Sequence, residues 1–302
     1  MSVPGFVLVA VLGAAFAAAQ DRPLRDPRVF RTGIDVVAVT ATVFDRDGRL
    51  VAGLSQDAFE MFEDGEAQIV TQFTGERVPV SVGILLDASD SMLGRRLEDA
   101  RTAVDRFIID LLKAEDEFAL LVFNHRPHFV TDWTQDSSLV ARALSQLHPS
   151  GATAIYDAIT GFLPLAQVRH RQRGALLIIS DGADTASDMT LRDVRSALLR
   201  SDAFVYAVAI DPPGSHAINT AVNVTALREL TDQSGGRTEV VKSSGDLMAA
   251  LSRIAEELNH QYLLGFTSTR GADGKFHSLR VRMPGSDYRV RARNGYVATP
   301  RN

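Results

Sequence analysis

The feature that most constrains the fold is a regular alternation of apolar runs and helix-like segments between Pro79 and His260. Residues 80–86 form a continuous apolar run, which is typical of a strand buried on both faces of a parallel sheet. Helical periodicity follows this run, and further apolar strands and amphipathic helices alternate over about 180 residues. The alternation predicts an α/β domain over residues 78–261, with a doubly wound, mostly parallel sheet and helices on both faces.

The segments on either side of this domain have β-strand patterns. Residues 29–77 contain an alternating, β-branched run and turn signals such as Asp64-Gly65. Residues 262–299 contain three further strand patterns, in which arginines alternate with apolar residues and are predicted to face solvent. Because neither segment alone buries much apolar surface, we expect the two to pair in a small β-sandwich-like unit.

The beginning of the chain has the composition of an export signal. Residues 6–19 are apolar and small, and they end in three alanines before Gln20, a typical cleavage pattern. The run is short for a membrane span, so we expect a cleaved signal peptide over residues 1–19, with an uncleaved anchor as the alternative. Residues 20–28 carry two prolines and are predicted to be a linker. These patterns predict an exported protein, in the periplasm, at the cell surface or secreted, with no stable membrane span after cleavage.

Composition and motifs exclude several classes of protein. The chain contains no cysteine, which excludes disulfides, thiolate metal sites and cysteine nucleophiles. Its formal net charge of −5 argues against nucleic-acid binding, because nucleic-acid-binding proteins usually carry a surplus of basic residues. The motifs of serine hydrolases, zinc proteases, dinucleotide-binding folds and P-loop NTPases are absent from the sequence. We therefore predict that the protein is not an enzyme.

Two predicted strands of the α/β domain end in an aspartate. Asp87 follows residues 80–86, and Asp181 follows residues 175–180. In a doubly wound sheet the first and fourth strands lie side by side, and ligands bind beyond their carboxyl ends. We therefore expect Asp87 and Asp181 to converge in one crevice, where two buried carboxylates repel each other unless a cation separates them.

Hydroxyl side chains accompany these aspartates. Ser89 and Ser91 follow Asp87 at alternate positions, and Thr153 lies in a glycine-containing loop. Three hydroxyls and two carboxylates make an all-oxygen set, which suits a hard divalent ion such as Mg²⁺, with Mn²⁺ or Ca²⁺ also possible, and not zinc or copper. The candidate metal-site residues are Asp87, Ser89, Ser91, Thr153 and Asp181.

The order of these elements resembles the von Willebrand factor A-type domain and its metal-ion-dependent adhesion site. The D-x-S-x-S element of that site is similar to residues 87–91, its threonine element to residues 151–153, and its aspartate element to residues 180–184. The segments before and after the domain resemble those of exported bacterial proteins called von Willebrand factor A-related. One departure from the family pattern is Asp90, which stands where glycine is usual.

The resemblance implies that Ser89, Ser91 and Thr153 ligate the ion, while Asp87 and Asp181 bind it directly or through water. Because neutral hydroxyls cancel none of its charge, the ion stays electrophilic and attracts an Asp or Glu carboxylate of a partner protein. The implied function is a metal-dependent, adhesion-type protein-binding module. Two alternatives stay open: a metal-dependent hydrolase, and a structural envelope protein in which the metal only stabilises the fold.

Other polar residues receive structural interpretations. His125 and His128 are predicted to lie at the surface, and Asp184 is interpreted as a loop residue without a catalytic role. Asp90 is expected to face solvent, with a contribution to the negative potential of the site as the alternative. Related domains couple metal-site closure to displacement of the last helix. Here that helix runs directly into Tyr262 of the β unit, so we expect the β unit to transmit or restrain such a shift.

Overall fold

The computed structural model describes residues 36–181, 183–210 and 223–299, together with Met1. All the elements described below belong to one compact unit, which comprises residues Ile34–Asn302. The expected signal peptide over residues 1–19 and the linker over residues 20–28 lie outside the described residues. Within the described ranges, no helix has the length and apolar character needed to cross a bilayer.

The chain forms fourteen strands and six α-helices in the described ranges. The strands are β1 Val36–Phe44, β2 Glu60–Glu63, β3 Glu66–Gln68, β4 Gln72–Thr74, β5 Val80–Asp87, β6 Glu117–Phe123, β7 Pro127–Phe129, β8 Arg173–Ser180, β9 Phe204–Ile210, β10 Thr238–Val241, β11 Tyr262–Thr267, β12 Phe276–Arg282, β13 Arg289–Ala292 and β14 Gly295–Val297. The helices are α1 Arg95–Arg106, α2 Ser137–Ser145, α3 Ile155–Gln167, α4 Leu191–Leu198, α5 Val224–Ser234 and α6 Ser244–Asn259.

A six-stranded sheet forms the centre of the α/β domain, in the order β10-β9-β8-β5-β6-β7. The strands are parallel except β7, which is antiparallel to β6. β5, β6, β8 and β9 are buried along their whole length, which agrees with their predominantly apolar sequences. The predicted doubly wound α/β fold is therefore confirmed.

One strand differs from the sequence prediction. The pattern predicts a strand over residues 129–133, whereas β7 ends at Phe129. The strand ends there because the backbone N–H groups of Val130 and Thr131 both donate to the carbonyl of Leu120, which interrupts the regular ladder. It starts early because of a tight turn after β6, in which the backbone N–H of Arg126 donates to the side chain of Asn124. The turn reverses the chain at once, so pairing with β6 begins at Pro127, before the apolar run.

Helices cover both faces of the central sheet. α1, α2 and α6 pack against one face, on a core that includes the alternate β5 residues Val82, Ile84 and Leu86. α3, α4 and α5 pack against the other face, which includes Leu85. This two-faced burial leaves the carboxyl-terminal edge of the sheet as the place where polar loops gather.

The terminal segments build a second, smaller unit of two four-stranded sheets, in the orders β13-β1-β11-β4 and β14-β12-β2-β3. In both sheets a strand from before the α/β domain pairs with strands from after it, so neither segment completes a sheet alone. Apolar residues of both sheets share one core. Asp64 and Gly65 both have positive φ angles, 51° and 84°, as the hairpin turn between β2 and β3 requires. The expected β-sandwich-like unit is confirmed, with β14 as an additional strand.

Polar contacts at the end of α6 reach the β unit through Gln261, which donates at 3.4 Å to the hydroxyl of Thr42 on β1. Arg173 donates at 2.7 Å both to the carbonyl of Leu258 and to the Oε1 atom of Gln261, and Gln261 donates at 3.1 Å to the hydroxyl of Tyr206. Two residues separate α6 from β11. Short linkage and buried hydrogen bonds together fix the helix end against the β unit.

The arginine stripe of the C-terminal strands is only partly exposed. Arg280 and Arg282 face solvent, as predicted. The prediction is wrong for two others. Arg291 pairs with Glu257 and donates to the carbonyl of Gly235 at 2.9 Å, while Arg293 donates to the carbonyl of Ala38. Arg291 crosses to the α/β domain because this part of β13 lies against that domain. Arg293 reaches the same domain through the carbonyl of Ser201, at 3.4 Å.

Candidate metal centre

Asp87 and Asp181 lie at the same edge of the central sheet. β5 ends at Asp87, and β8 ends at Ser180, one residue before Asp181. The two strands are parallel neighbours, so their carboxyl ends coincide. Asp87 is 0% exposed and Asp181 is 6% exposed. The structure therefore brings together the two carboxylates that the sequence analysis placed in one crevice.

Asp87 is a buried carboxylate held by neutral donors. Its Oδ1 atom accepts from the backbone N–H of Ser89 at 2.8 Å, and its Oδ2 atom accepts from the hydroxyl of Ser180. Burial raises the pKa of Asp87 to about 6; hydrogen bonds from Ser180 and Ser89 oppose this rise, and the charge of Asp181 adds to it. Within the described ranges no cationic side chain pairs with Asp87. The negative charge of this carboxylate is therefore not compensated by a cationic side chain of the described residues.

The two serines connect the aspartates. The hydroxyl oxygens of Ser89 and Ser91 lie 2.9 Å apart, within hydrogen-bond distance. The Ser91 hydroxyl donates to the Oδ1 atom of Asp181 at 2.6 Å. A short 3-10 turn over Asp90–Met92 directs both serines toward the same edge. Four of the five candidate residues therefore form one hydrogen-bonded cluster.

Thr153 belongs to a loop that is attached to the same cluster. The backbone N–H of Asp90 donates to the carbonyl of Gly151 at 2.9 Å, and that of Ser150 donates to the carbonyl of Ala88 at 2.9 Å. Gly151 has a φ of +75°, a conformation that L side chains rarely adopt, so glycine is required for this loop path. Thr153 is 4% exposed, and for the part of the chain described its hydroxyl forms no hydrogen bond to the other four candidate residues.

A basic residue that the sequence analysis missed, Arg96, lies next to Asp181. Arg96, in the first turn of α1, donates through Nη1 to the Oδ2 atom of Asp181 at 2.6 Å and to the backbone carbonyl of Ser91 at 2.7 Å. The available signal was the position of this arginine, one helical turn after the D-x-S-x-S element. Helical side chains lean toward the helix N-terminus, so Arg96 reaches back toward that element.

The remaining polar residues lie where the sequence analysis placed them, at the surface or in a loop. Asp90, His125 and His128 are exposed. Asp184 accepts from the backbone N–H of Tyr156 at 3.2 Å and from the hydroxyl of Ser187 at 2.6 Å, so it fastens the loop after β8 to the start of α3.

The donor set fits a hard divalent ion. Its atoms are all oxygen, from hydroxyls and carboxylates, and the buried Asp87 carboxylate lacks a cationic partner within the described ranges. In the same part of the chain no cluster of three or more His, Asp or Glu side chains is arranged to hold a metal. An ion here would accordingly depend on Ser89, Ser91 and Thr153 as well as on the two aspartates, and this assignment stays a prediction.

The comparison with known protein families identifies the α/β domain. The family model of the von Willebrand factor type A domain matches residues 82–183, a stretch that contains all five candidate residues. Together with the doubly wound sheet, this match shows that the chain contains a von Willebrand factor type A domain. Domains of this class generally mediate interactions with other proteins.

The similar proteins cover parts of the chain. Uncharacterized protein sll0103 of Synechocystis sp. is 28% identical over 115 residues, which are 37% of this chain and 27% of that protein. The chain thus spans about a quarter of the length of this curated relative.

Two solved structures share the fold. The von Willebrand factor type A protein from Catenulispora acidiphila has a TM-score of 0.53 and 14% identity, covering 88% of this chain and 74% of that one. The vWF domain of the type V pili tip protein Mfa5 from Porphyromonas gingivalis has a TM-score of 0.50 and 14% identity, covering 61% of this chain and 96% of that one. At these identities the likeness shows the fold alone.

Proposed function

We propose that this protein is an exported, non-enzymatic, metal-dependent protein-binding module. In this proposal a divalent ion, Mg²⁺ in the first place, is held by Asp87, Ser89, Ser91, Thr153 and Asp181. The ion supplies a positive centre that attracts an Asp or Glu carboxylate of a partner protein. The observation that carries the proposal is the buried Asp87 carboxylate, which accepts hydrogen bonds from Ser89 and Ser180 and has no cationic partner in the described ranges.

The protein's own residues prepare the site for such an ion. The backbone of Ser89 and the hydroxyl of Ser180 hold the Asp87 carboxylate, so little reorganisation is needed on binding. The Ser91 hydroxyl can donate to Asp181 while its lone pairs remain available to a metal. Neutral hydroxyl ligands leave more of the ion's charge for the partner than carboxylates would.

Export is supported by the apolar, alanine-rich start of the chain, which ends in a typical cleavage pattern. One of the structural neighbours, Mfa5, is itself a pili tip protein.

The non-enzymatic assignment is supported by the composition of the cluster. Both of its aspartates are assigned to the ion, and its candidate residues include no His or Glu that would be left to act as the general base of a hydrolase using metal-bound water.

The experiment is a comparison of Thr153→Ala with the matched control Thr102→Ala, an exposed threonine on α1. Immobilised proteins are exposed to an envelope extract with Mg²⁺ or with chelator, and Mg²⁺ binding to each protein is measured by calorimetry. We expect the wild type and Thr102→Ala to bind Mg²⁺ and to capture a partner only with the metal. Thr153→Ala is expected to lose at least about tenfold in Mg²⁺ affinity and to lose capture. Full capture by Thr153→Ala, or capture in chelator, would reject the proposal.

A further inference from the structure

The ion pair between Arg96 and Asp181 places a permanent cation inside the candidate metal centre. The Asp181 side chain is fully buried, whereas the Arg96 side chain is 32% exposed. The same Nη1 atom also donates to the carbonyl of Ser91, which belongs to the metal-binding turn. The Nη1 atom of Arg96 thus donates to two acceptors of the site, the carboxylate of Asp181 and the carbonyl of Ser91.

The two aspartates are therefore not equivalent. Both oxygens of Asp181 have partners, Oδ1 with the Ser91 hydroxyl and Oδ2 with Arg96. Asp87 has neutral donors alone within the described ranges. One of the two negative charges of the site is already compensated by the protein itself, and the other is not.

We infer that Arg96 is a built-in counter-cation that sets the charge of the metal centre, and that it weakens metal binding while strengthening the attraction of the bound ion for a carboxylate. This inference rests on the proposed function, since it concerns the same site. Two aspartates and Arg96 give a net charge of −1, so a divalent ion brings the centre to +1. Without Arg96 the loaded centre would be neutral.

The expected size of the effect follows from Coulomb's law. A unit charge within several ångströms of a divalent ion changes its affinity about tenfold even at the dielectric constant of water, and more in a partly buried site. A merely positioning role for Arg96 predicts the opposite sign, because loss of the contact would let Asp181 move and would weaken metal binding. The sign of the change thus separates the two roles.

The adjacent arginine is a matched control. Arg95 lies one position earlier on α1 and carries the same charge, but its side chain is 86% exposed and lies 3.8 Å from Asp99, not from Asp181. Arg95→Gln and Arg96→Gln remove equal charge from neighbouring positions. Arg96→Lys keeps the charge and removes the planar guanidinium, so it tests whether charge or shape is responsible.

The test is calorimetric titration of the full chain with Mg²⁺ and with Mn²⁺, each variant first being checked by circular dichroism. We expect Arg96→Gln to bind the metal at least about tenfold more tightly than the wild type. We expect Arg95→Gln to stay within about threefold of it, because the charge of Arg95 is exposed and strongly screened. We expect Arg96→Lys to stay within the same range, because it keeps the charge. Equal or weaker metal binding by Arg96→Gln overturns the inference. If Arg96→Gln does not fold, Arg96→Met replaces it, with the same criteria.

A second measurement, of the affinity of the metal-loaded protein for a carboxylate, is expected to change in the opposite direction. Acetate serves as the carboxylate probe, and its binding to Mn²⁺-loaded protein is followed by paramagnetic broadening of its NMR signal. We expect Arg96→Gln to bind acetate several-fold more weakly than the wild type, although it binds metal more tightly. If Arg96→Gln binds metal and acetate both more tightly than the wild type, or both more weakly, the inferred opposite effects of Arg96 on the two affinities are contradicted. Failure of the wild type to bind any divalent ion would reject the proposed function itself, an outcome distinct from an unchanged affinity in Arg96→Gln.

Discussion

At the scale of single residues, the site is a balance of buried charges. Asp87 is kept in the interior by hydrogen bonds from Ser89 and Ser180, which satisfy its oxygens but do not cancel its charge. Burying a carboxylate without a cation costs free energy, so this residue destabilises the metal-free fold. A buried charged group that lowers the stability of the fold and lies at the carboxyl edge of a parallel sheet is typical of a binding site.

Replacement of Asp87 by asparagine tests this cost. We expect Asp87→Asn to raise the free energy of unfolding of the metal-free protein at pH 7 by about 1–3 kcal/mol, because a buried charge is replaced by a neutral group of the same shape. The variant is also expected to lose its response to Mg²⁺. Urea unfolding in chelator and in Mg²⁺ measures both effects. A destabilised Asp87→Asn in chelator would contradict the expected charge cost.

A second residue-scale prediction concerns His277 in the β unit. Burial disfavours its charged form, but hydrogen bonds from its ring to Asp64 at 2.8 Å and Asp273 at 3.1 Å outweigh this and raise the pKa of His277. The stabilisation is therefore fully present below the unfolded pKa near 6.5, and it is lost as the pH rises through the higher folded value.

We expect His277→Gln to be less stable than the wild type by about 1–3 kcal/mol at pH 6, with a smaller difference at pH 9. Urea unfolding across this pH range measures the change, and the exposed His128→Gln serves as control. A difference that stays constant from pH 6 to pH 9 would contradict a contribution from the charged imidazole.

At the scale of elements, the structure depends on close approach between α5, β9 and β13. A Cβ atom added at Gly236 would overlap the carbonyl oxygen of Val205 on β9. A Cβ at Gly235 would lie 2.7 Å from the backbone of Ala292 on β13, and Gly235 also has a φ of +89°. The two glycines thus let the end of α5 touch the sheets of both units.

Gly236→Ala is expected to lower the free energy of unfolding by about 2–4 kcal/mol, because a backbone carbonyl cannot move aside as a flexible side chain can. Gly161→Ala, within α3, is the matched control. Its added Cβ would meet its nearest neighbour, Pro127, at an ordinary 3.8 Å, so alanine is expected to be neutral or to stabilise the helix by up to about 1 kcal/mol. Denaturant unfolding of both variants measures the contrast, and equal effects would contradict the packing argument.

The junction between α6 and β11 bears on the expected coupling between helix and β unit. Arg173 and Gln261 hold the end of α6 through buried hydrogen bonds, and the hydroxyl of Tyr262 donates to the carbonyl of Val51 at 2.9 Å. A shift of α6 along its axis would break these contacts together. This arrangement favours restraint by the β unit over free displacement of the helix.

At the scale of the whole molecule, the von Willebrand factor type A domain is inserted between two halves of a β unit. The strands on either side of it pair with each other, so the ends of the domain are held together by the β sheets. The candidate metal centre lies at the carboxyl edge of the domain sheet. Arg173 begins β8 at the opposite end of that sheet, where it donates to Gln261, and Gln261 donates in turn to the hydroxyl of Thr42 on β1. The candidate metal centre and the junction with the β unit thus lie at different ends of one sheet.

Metal binding at one end is expected to stabilise the entire unit. A ligand that binds the folded state raises the free energy of unfolding by about 1.4 kcal/mol for each tenfold increase in its concentration above Kd. We expect the melting temperature of the wild type to rise with Mg²⁺ concentration and to return to its initial value with chelator. Thr153→Ala should show no such rise up to millimolar Mg²⁺. An unchanged melting temperature of the wild type in Mg²⁺ would count against the metal centre.

Local sequence pattern determined the fold class and the turn at Asp64-Gly65, because burial on two faces and hairpin geometry leave signals in adjacent residues. Local pattern also located the five candidate site residues at strand ends and in a loop, and their role in metal binding stays a prediction. The tertiary structure alone decided which side chains neutralise which charges. Arg96 pairs with Asp181, 85 positions away, and Arg291 pairs with Glu257 across the two units. Such pairs depend on the three-dimensional approach of distant elements, which no spacing along the chain encodes.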